Sequence, residues 1–178
     1  MIYLDNAAST KILPEVVREM VKSCEQYYGN PSSIHSAGQK AKKLLENSRE
    51  VIAGLFGAEG KEIIFTSGGA EGNNLVIKGA AEAYSYKGKH IITTDIEHPT
   101  VLNTFLDLEE KGYEITYLHT DKNGLINVEE LRDSLRQDTI LVSVMSSNNE
   151  TGVIQPIEEI GKILSKTSVF FHVDAVQS

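Results

Sequence analysis

Short apolar runs alternate with helical segments from residue 62 onward, and this alternation limits the possible folds more than any other feature. The runs are rich in Ile, Val and aromatic residues and predict buried strands over 63–65, 91–93, 113–118, 140–145 and 169–173. Helical patterns follow them over 71–84, 100–111, 128–135 and 157–164. Strands that alternate with helices favour right-handed crossovers and parallel pairing. The sequence therefore predicts an α/β fold with a mainly parallel sheet flanked by helices.

Two helices are predicted before this alternation begins. Pro14 is typical of a first helical position, and the residues after it place Cys24 on an apolar face. A longer helix is predicted over 36–56, with Gly57 as its stop. Because a free cysteine on an apolar face usually packs in a core, we expect Cys24 to be buried.

Composition narrows the possible functions. The net charge is −8 and the pI is near 5.1, which argues against a nucleic-acid-binding protein. The longest apolar run is too short to span a membrane, and the N-terminus lacks the pattern of a signal peptide. A single cysteine gives neither an internal disulfide nor a metal cluster, so no metal site is expected. We expect a cytoplasmic protein that binds neither nucleic acid nor a membrane.

The loop after the first predicted strand contains Gly68, Gly69, Ala70 and Gly72 and leads into a helix. Small residues allow a ligand to approach the backbone, and a helix N-terminus presents free N–H groups with a positive dipole. The spacing matches neither the dinucleotide fingerprint nor the Walker A motif. A phosphate site and a simple tight turn are about equally compatible with this loop alone.

Polar residues follow the other strands at their carboxyl ends, where open α/β sheets bind ligands. His98 could stack on a planar ring or move a proton, or it could simply cap a helix. Asn148 and Asn149 could bind a phenolic oxygen or a carboxylate, although asparagines are also common in turns. Asp174 ends the last apolar run, where a buried carboxylate needs a cationic partner. Together these groups fit a phosphorylated aromatic cofactor with a basic ring nitrogen, pyridoxal 5′-phosphate (PLP).

Several motifs recur in an order that resembles one enzyme family. They are Tyr3-Leu4-Asp5-Asn6-Ala7-Ala8, Gly29-Asn30-Pro31-Ser32-Ser33-Ile34-His35, the segment 65–74, Glu97-His98, Asn148-Asn149-Glu150-Thr151-Gly152 and His172-Val173-Asp174-Ala175-Val176-Gln177-Ser178. Over its whole length the chain resembles the N-terminal portion of a cysteine desulfurase of the NifS/IscS kind, in the class V aminotransferase group of fold-type I PLP enzymes. That family takes sulfur from L-cysteine, leaves alanine and passes a persulfide to acceptors for iron–sulfur cluster and thio-cofactor synthesis.

The resemblance implies a role for each matching residue. Backbone amides at Gly69 and Ala70 would hold the PLP phosphate, and His98 would stack on the ring and transfer protons as a catalytic residue. Asp174 would pair with the ring N–H, and Gln177 would bond the phenolic oxygen. Asn149 would lie near the phenolic oxygen and would contact the substrate carboxylate. Asn30 and His35 would line the substrate entrance.

The resemblance also implies a domain division. Residues 1–12 would be an N-terminal segment that belongs to the small domain and the substrate entrance, and residues 13–178 the first part of the large PLP-binding domain. The lysine that binds PLP, the persulfide-forming cysteine and the rest of both domains would lie further along, so we expect the chain alone to be inactive. Ala70 and Gly72 stand where the family usually has threonine and serine, which removes a hydroxyl from the phosphate site.

The family further implies a homodimer and a sulfur acceptor or iron–sulfur scaffold protein as partner. The sequence leaves two alternatives open. One is another class V enzyme, such as a selenocysteine lyase or an aminotransferase. The other is a non-catalytic protein that uses the sheet as a binding or dimerisation module.

Overall fold

The computed structural model describes residues 2–178, which divide into two compact units, residues 2–65 and 66–178. The first unit contains helix α1 (Pro14–Gln26), helix α2 (Ser36–Phe56) and a 3-10 turn (Gly60–Glu62). Pro14 occupies the start of α1, and α2 ends at Gly57 with a φ of +64°, a left-handed conformation that favours glycine. Both predicted helices are therefore confirmed. The predicted division at residue 12 stays a prediction.

Two expectations about the first unit are wrong. Cys24 is exposed, because α1 buries none of its residues even though its apolar side chains share one face. Residues 63–65 are extended near Ile63 but form no strand, since they pair with no neighbour among the described residues. An apolar pattern predicts an extended backbone, whereas a strand also requires a hydrogen-bonding partner.

The second unit contains the sheet. Its elements in chain order are α3 (Gly69–Tyr84), β1 (His90–Thr94), α4 (Pro99–Glu110), β2 (Glu114–Leu118), α5 (Val128–Ser134), β3 (Thr139–Ser143), α6 (Ile157–Leu164) and β4 (Phe170–His172). The strand order is β2-β1-β3-β4, and every neighbouring pair is parallel. The predicted α/β class is confirmed.

Helices cover both faces of this sheet. Ile91 and Ile92 are both fully buried, and because successive side chains point to opposite faces they enter different cores. One core contains residues of α3 and α4, and the other contains residues of α5 and α6. Burial on both faces explains why β1 and β3 lack the regular alternation of apolar and polar residues that is typical of a half-exposed strand.

The chain leaves β1 in one direction to form β2 and then crosses to the other side of β1 to form β3. Connections that diverge in this way open a crevice at the carboxyl ends of the two adjacent strands, where α/β proteins bind ligands. The loops after β1 and β3 are therefore the expected position of a ligand site. Within residues 2–178, none of the helices has the length and apolar character needed to cross a membrane.

Candidate cofactor site

Helix α3 begins with unpaired backbone donors. Its N-cap, Gly68, has an extended backbone and provides no side-chain cap, so the N–H groups of the first turn stay free. Glu71 turns back and accepts a hydrogen bond from the Ser67 N–H at 2.6 Å, and this bonding lowers the pKa of Glu71. The first turn of α3, at Gly69 and Ala70, can therefore accept an anion such as a phosphate.

The start of α3 lies against the loop after β4. A Cβ atom at Gly69 would come within 2.8 Å of Val176 Cγ2, closer than real Cβ contacts allow. Glycine at this position therefore permits a close approach between the anion-binding turn and the segment that contains Asp174 and Gln177.

Asp174 lies two residues beyond β4 and is 7% exposed. Its Oδ2 accepts a hydrogen bond from Asn73 Nδ2 at 2.8 Å, and its Oδ1 accepts one from the Val176 N–H at 3.0 Å. Both oxygens of the carboxylate are therefore hydrogen-bonded. Because both donors are uncharged amides, they do not neutralise its negative charge. A buried carboxylate in this state is a suitable partner for a cationic ring nitrogen.

A chain of hydrogen bonds joins Asp174 to His98. Asn73 Nδ2 donates to Asp174 and to Thr100 Oγ1 at 3.1 Å, and Thr100 Oγ1 lies 2.8 Å from His98 Nδ1. The Thr100 N–H also donates to His98 Nδ1 at 3.2 Å, which caps helix α4. Since an N–H can only donate, Nδ1 is the acceptor, and the proton of the neutral ring lies on Nε2. His98 thus caps a helix with one nitrogen and keeps Nε2 and an exposed ring for other contacts.

Glu97 is a second buried carboxyl at this edge, 4% exposed. Its Oε1 accepts hydrogen bonds from the Thr94 hydroxyl at 2.7 Å and the Met145 N–H at 2.8 Å, and its Oε2 is buried without a partner among the described residues. Burial raises the pKa of Glu97 to about 7; the two hydrogen bonds oppose this shift and the charge of Asp174 adds to it.

The two asparagines after β3 have different roles. Asn148 Oδ1 accepts hydrogen bonds from the Glu150 and Thr151 N–H groups, and its Nδ2 donates to the Ile96 carbonyl at 3.1 Å. Asn148 therefore shapes its own turn and ties it to the loop that precedes His98. The side-chain amide of Asn149 makes no hydrogen bond within residues 2–178, so it stays available to a ligand.

Asn149 and Gln177 line the same cavity, with a volume of about 1150 Å³. The Ser147 hydroxyl donates to the Gln177 carbonyl at 2.7 Å, and the Ser146 N–H donates to the Asp174 carbonyl at 2.9 Å. These bonds join the loops after β3 and β4. The structure thus brings Gly69, Ala70, His98, Asn149, Asp174 and Gln177 to one edge of the sheet. Their roles with cofactor and substrate stay predictions.

Asn30 and His35 belong to the first unit. Asn30 Oδ1 accepts a hydrogen bond from the Ser32 N–H at 2.9 Å, and His35 Nδ1 accepts one from the Gly38 N–H at 3.3 Å as the N-cap of α2. Both side chains are exposed. Their contacts are those of a turn and a helix cap, and their contact with substrate stays a prediction.

The residues that sequence reasoning missed are Asn73, Thr100 and the carboxyl group of Glu97. A signal was present for Asn73, because it shares a helical stripe with the buried Ile77 and Ala81. A polar residue on a buried stripe indicates a buried hydrogen-bond partner. No group of three or more His, Cys, Asp or Glu residues that could hold a metal ion occurs in the described part of the chain.

An open helix N-terminus, a capping histidine and a buried aspartate at one edge of an α/β sheet are groups that suit a cofactor with a phosphate and a cationic ring. The model of the aminotransferase class-V family matches residues 2–178, so the chain belongs to that family. Class V enzymes are PLP-dependent, which confirms the predicted cofactor for the family.

Its relatives are cysteine desulfurases. The chain is 49% identical over 177 residues to cysteine desulfurase IscS of Dictyoglomus turgidum, covering 99% of this chain and 45% of the relative. It is also 49% identical to putative cysteine desulfurase IscS 1 of Bacillus subtilis, covering 99% of this chain and 47% of the relative. The chain thus spans about half the length of the relatives that it matches.

Solved structures agree with this assignment. A NifS-like protein superposes with a TM-score of 0.94 at 40% identity, over 97% of this chain and 48% of that one. A structure described as SspA in complex with cysteine gives a TM-score of 0.92 at 40% identity, over 97% of this chain and 50% of that one. The predicted resemblance to NifS/IscS-like proteins is confirmed.

Proposed function

We propose that this chain provides the cofactor-binding part of a PLP-dependent cysteine desulfurase, which removes sulfur from L-cysteine and leaves alanine. The observation that supports this most directly is Asp174: a buried carboxylate whose hydrogen-bond partners are neutral amides, on the same sheet edge as the open start of α3. The relationship to cysteine desulfurases at 49% identity supports the choice of substrate.

The described residues fit PLP at three points. The free N–H groups at Gly69 and Ala70 would bind the phosphate, Asp174 would bind the protonated ring nitrogen, and the exposed ring of His98 would stack on the pyridine. Bound PLP supplies an electron sink for the bonds around the α-carbon of an amino acid. Asp174 supports that role because an anion at the ring nitrogen favours its protonated form.

His98 is the proposed proton-transfer residue. Its Nδ1 is held by the N–H and hydroxyl of Thr100, which leaves Nε2 as the atom that can give or accept a proton. The same contacts fix the orientation of the ring at the start of α4. Asn149 and Gln177 would supply amide donors to the phenolic oxygen and the substrate carboxylate across their shared cavity.

The partners of the whole protein are also proposals. A desulfurase that forms a persulfide needs a sulfur acceptor, such as an iron–sulfur scaffold protein, and the family relationship favours a homodimer. Asn30 and His35 are proposed to contribute to the substrate entrance. A cytoplasmic location is proposed from the composition of the chain.

The cofactor proposal can be tested with pyridoxamine 5′-phosphate, which has the phosphate and the basic ring nitrogen but needs no lysine to bind. We expect the chain to bind it in isothermal titration calorimetry. Asp174→Asn keeps the shape of the side chain and removes its charge, so the affinity should fall by about tenfold or more. Asp133→Asn is a control with the same chemical change at an exposed position.

Absence of binding by the unmodified chain, or equal affinity in Asp174→Asn, would overturn the cofactor proposal. The substrate proposal is tested separately by adding PLP, L-cysteine and a thiol reductant to the chain with and without the C-terminal half of a related cysteine desulfurase. Alanine and sulfide should form only when that half is supplied, and a preference for selenocysteine would favour a selenocysteine lyase instead.

A further inference from the structure

Two buried carboxyl groups occupy the same edge of the sheet, and the proposed function uses only one of them. Asp174 is 7% exposed and Glu97 is 4% exposed, and the charge of Asp174 acts on Glu97. Neither forms an ion pair with a Lys or Arg side chain within residues 2–178. Two ionised carboxylates in one buried region repel each other, so their environments must decide which one holds a proton.

The hydrogen bonds separate the two groups. Both oxygens of Asp174 accept hydrogen bonds, so neither of them is buried without a donor. On Glu97 both hydrogen bonds go to Oε1, while Oε2 is buried without a hydrogen-bond partner among the described residues. An unsolvated and unbonded oxygen disfavours a carboxylate, and a proton on Oε2 removes that charge.

The groups that surround Glu97 do not compensate its charge. Thr94 on β1 donates a neutral hydroxyl, and Met145 after β3 donates a backbone N–H. The charged group that acts on Glu97 from the β4 loop is Asp174, which has the same sign. Burial and this repulsion favour the same neutral form.

We propose that Glu97 is a buried neutral acid beside the ionised Asp174 in the weakly acidic to neutral range, and that it releases its proton when a cation binds to Asp174. Glu97 is then a positioning residue: it leaves Asp174 as the one ionised group of this buried carboxyl pair. A cationic ring nitrogen on Asp174 adds a positive charge that favours ionised Glu97, so cation binding and proton release are linked. The linked proton release rests on the proposed cofactor site, whereas the neutral state of Glu97 does not.

Infrared difference spectroscopy tests the resting state without any cofactor. Wild-type minus Glu97→Gln spectra should show the carbonyl stretch of a protonated carboxyl group near pH 6, and the band should disappear on titration to about pH 8.5. Glu82→Gln, an exposed substitution in α3, should give no such band. Absence of the band near pH 6 in the Glu97 difference spectrum overturns the proposal.

A second measurement does not depend on how well Glu97→Gln folds. Carbon-13 NMR of the unmodified chain, labelled at the Glu side-chain carboxyl carbons, should show one resonance that titrates near neutral pH, well above the others. If every glutamate titrates in the ordinary acidic range, Glu97 is ionised and the proposal is wrong. Where Glu97→Gln does fold, its unfolding constant relative to wild type should decrease by about tenfold between about pH 6 and pH 8.5.

The linked proton release is measured by titrating pyridoxamine 5′-phosphate near pH 7 in two buffers of different ionisation enthalpy. Wild type should release up to about half a proton more than Glu97→Gln. Equal proton release in both proteins overturns the linkage. If the unmodified chain does not bind the compound, the proposed cofactor site is wrong and so is the linkage, while the infrared and NMR results still decide the protonation of Glu97.

Discussion

At the scale of single residues, Asn73 connects the two side chains that would contact a cofactor ring. Its Nδ2 group donates both hydrogens, one to Asp174 and one to Thr100, which contacts His98. Asn73 is 5% exposed and comes from α3, whereas its partners follow β4 and begin α4. A single amide thus fixes the distance between the proposed ring-nitrogen contact and the proposed stacking residue.

We expect Asn73→Ala to destabilise the chain by about 1–3 kcal/mol, because it leaves Asp174 Oδ2 buried without its donor. Urea denaturation at about pH 7.5 measures this loss, under conditions where aspartate is ionised. The matched control is Asn74→Ala, which removes only an amide that donates to the Ala70 carbonyl within the helix. Its effect should stay within about 0.5 kcal/mol. Equal losses in the two variants would show that the bond to Asp174 contributes nothing particular.

At the scale of secondary-structure elements, the amino end of β1 is tied to both neighbouring strands by one side chain. His90 is 1% exposed; its Nδ1 lies 2.7 Å from Thr139 Oγ1 on β3, and its Nε2 lies 2.8 Å from Thr116 Oγ1 on β2. Burial lowers the pKa of His90, and the nearby Arg136 charge lowers it further. The central strand is therefore held by a histidine that the fold keeps neutral.

This neutral histidine predicts a pH dependence. Below its ordinary pKa of 6.5, the unfolded chain binds a proton at His90 that the folded chain does not, so stability should fall as the pH decreases from about 6.5. Urea unfolding of His90→Gln and wild type at about pH 7.5 and 5.5 should show a smaller loss in the variant. Some slope will remain, because burial also lowers the pKa of His172.

His119→Gln is the control for this experiment. Its hydrogen bond with Asp95 raises the pKa of His119, so its contribution to stability is present below pH 6.5 and is lost as the pH rises. The sign is therefore opposite to that of His90, and the effect is small because His119 is exposed. A slope in His90→Gln as steep as that of wild type would contradict the assignment.

The first turn of α3 predicts an effect on cofactor affinity. Ala70 offers the phosphate a backbone N–H but no hydroxyl, so Ala70→Thr should add a charge-assisted hydrogen bond and increase affinity for pyridoxamine 5′-phosphate by about tenfold. Ala83→Thr, an exposed substitution in the last turn of the same helix, should leave the affinity unchanged. Isothermal titration calorimetry measures both affinities. If Ala70→Thr does not bind the compound more tightly, the phosphate does not contact residue 70.

The elements differ in how well the sequence predicts them. Strands β1 and β3 were predictable because both faces are buried, so adjacent apolar residues occur in each of them, Ile91-Ile92 in β1 and Ile140-Leu141-Val142 in β3. Residues 63–65 have the same kind of composition but no partner strand, and pairing is not encoded within a segment of three residues. Similarly, helical spacing identifies the apolar face that contains Cys24 but not whether another element covers it.

In the site, too, some residues could be predicted from the sequence and their contacts could not. Glycines before a helix and polar residues after strands are local patterns, so Gly69, His98, Asn149 and Asp174 could be selected from the sequence. The bonds from Asn73 to Asp174, and from Met145 to Glu97, join residues that are 101 and 48 positions apart. Such pairs depend on how β1, β3, β4 and α3 come together, which no single segment specifies.

At the scale of the whole molecule, helix α1 of the first unit has exposed apolar side chains on one face. On α1, Val17, Met20 and Val21 are 44%, 53% and 51% exposed. Their spacing places them on one side of the helix, so they form one apolar stripe. Apolar surface of this kind favours association when it is contiguous.

We therefore expect the chain to self-associate, in line with the proposed homodimer. Val21→Lys introduces a charge into the stripe and should weaken association by about tenfold or more, because the ammonium group would lose water at the interface. Gln26→Lys adds the same charge at an exposed position on the other side of α1 and should leave association unchanged. Sedimentation velocity over a range of concentrations separates the two variants. A chain that stays monomeric at every concentration would show that α1 is not an interface between copies. Equal weakening by both lysines would show that the apolar stripe has no particular part in association.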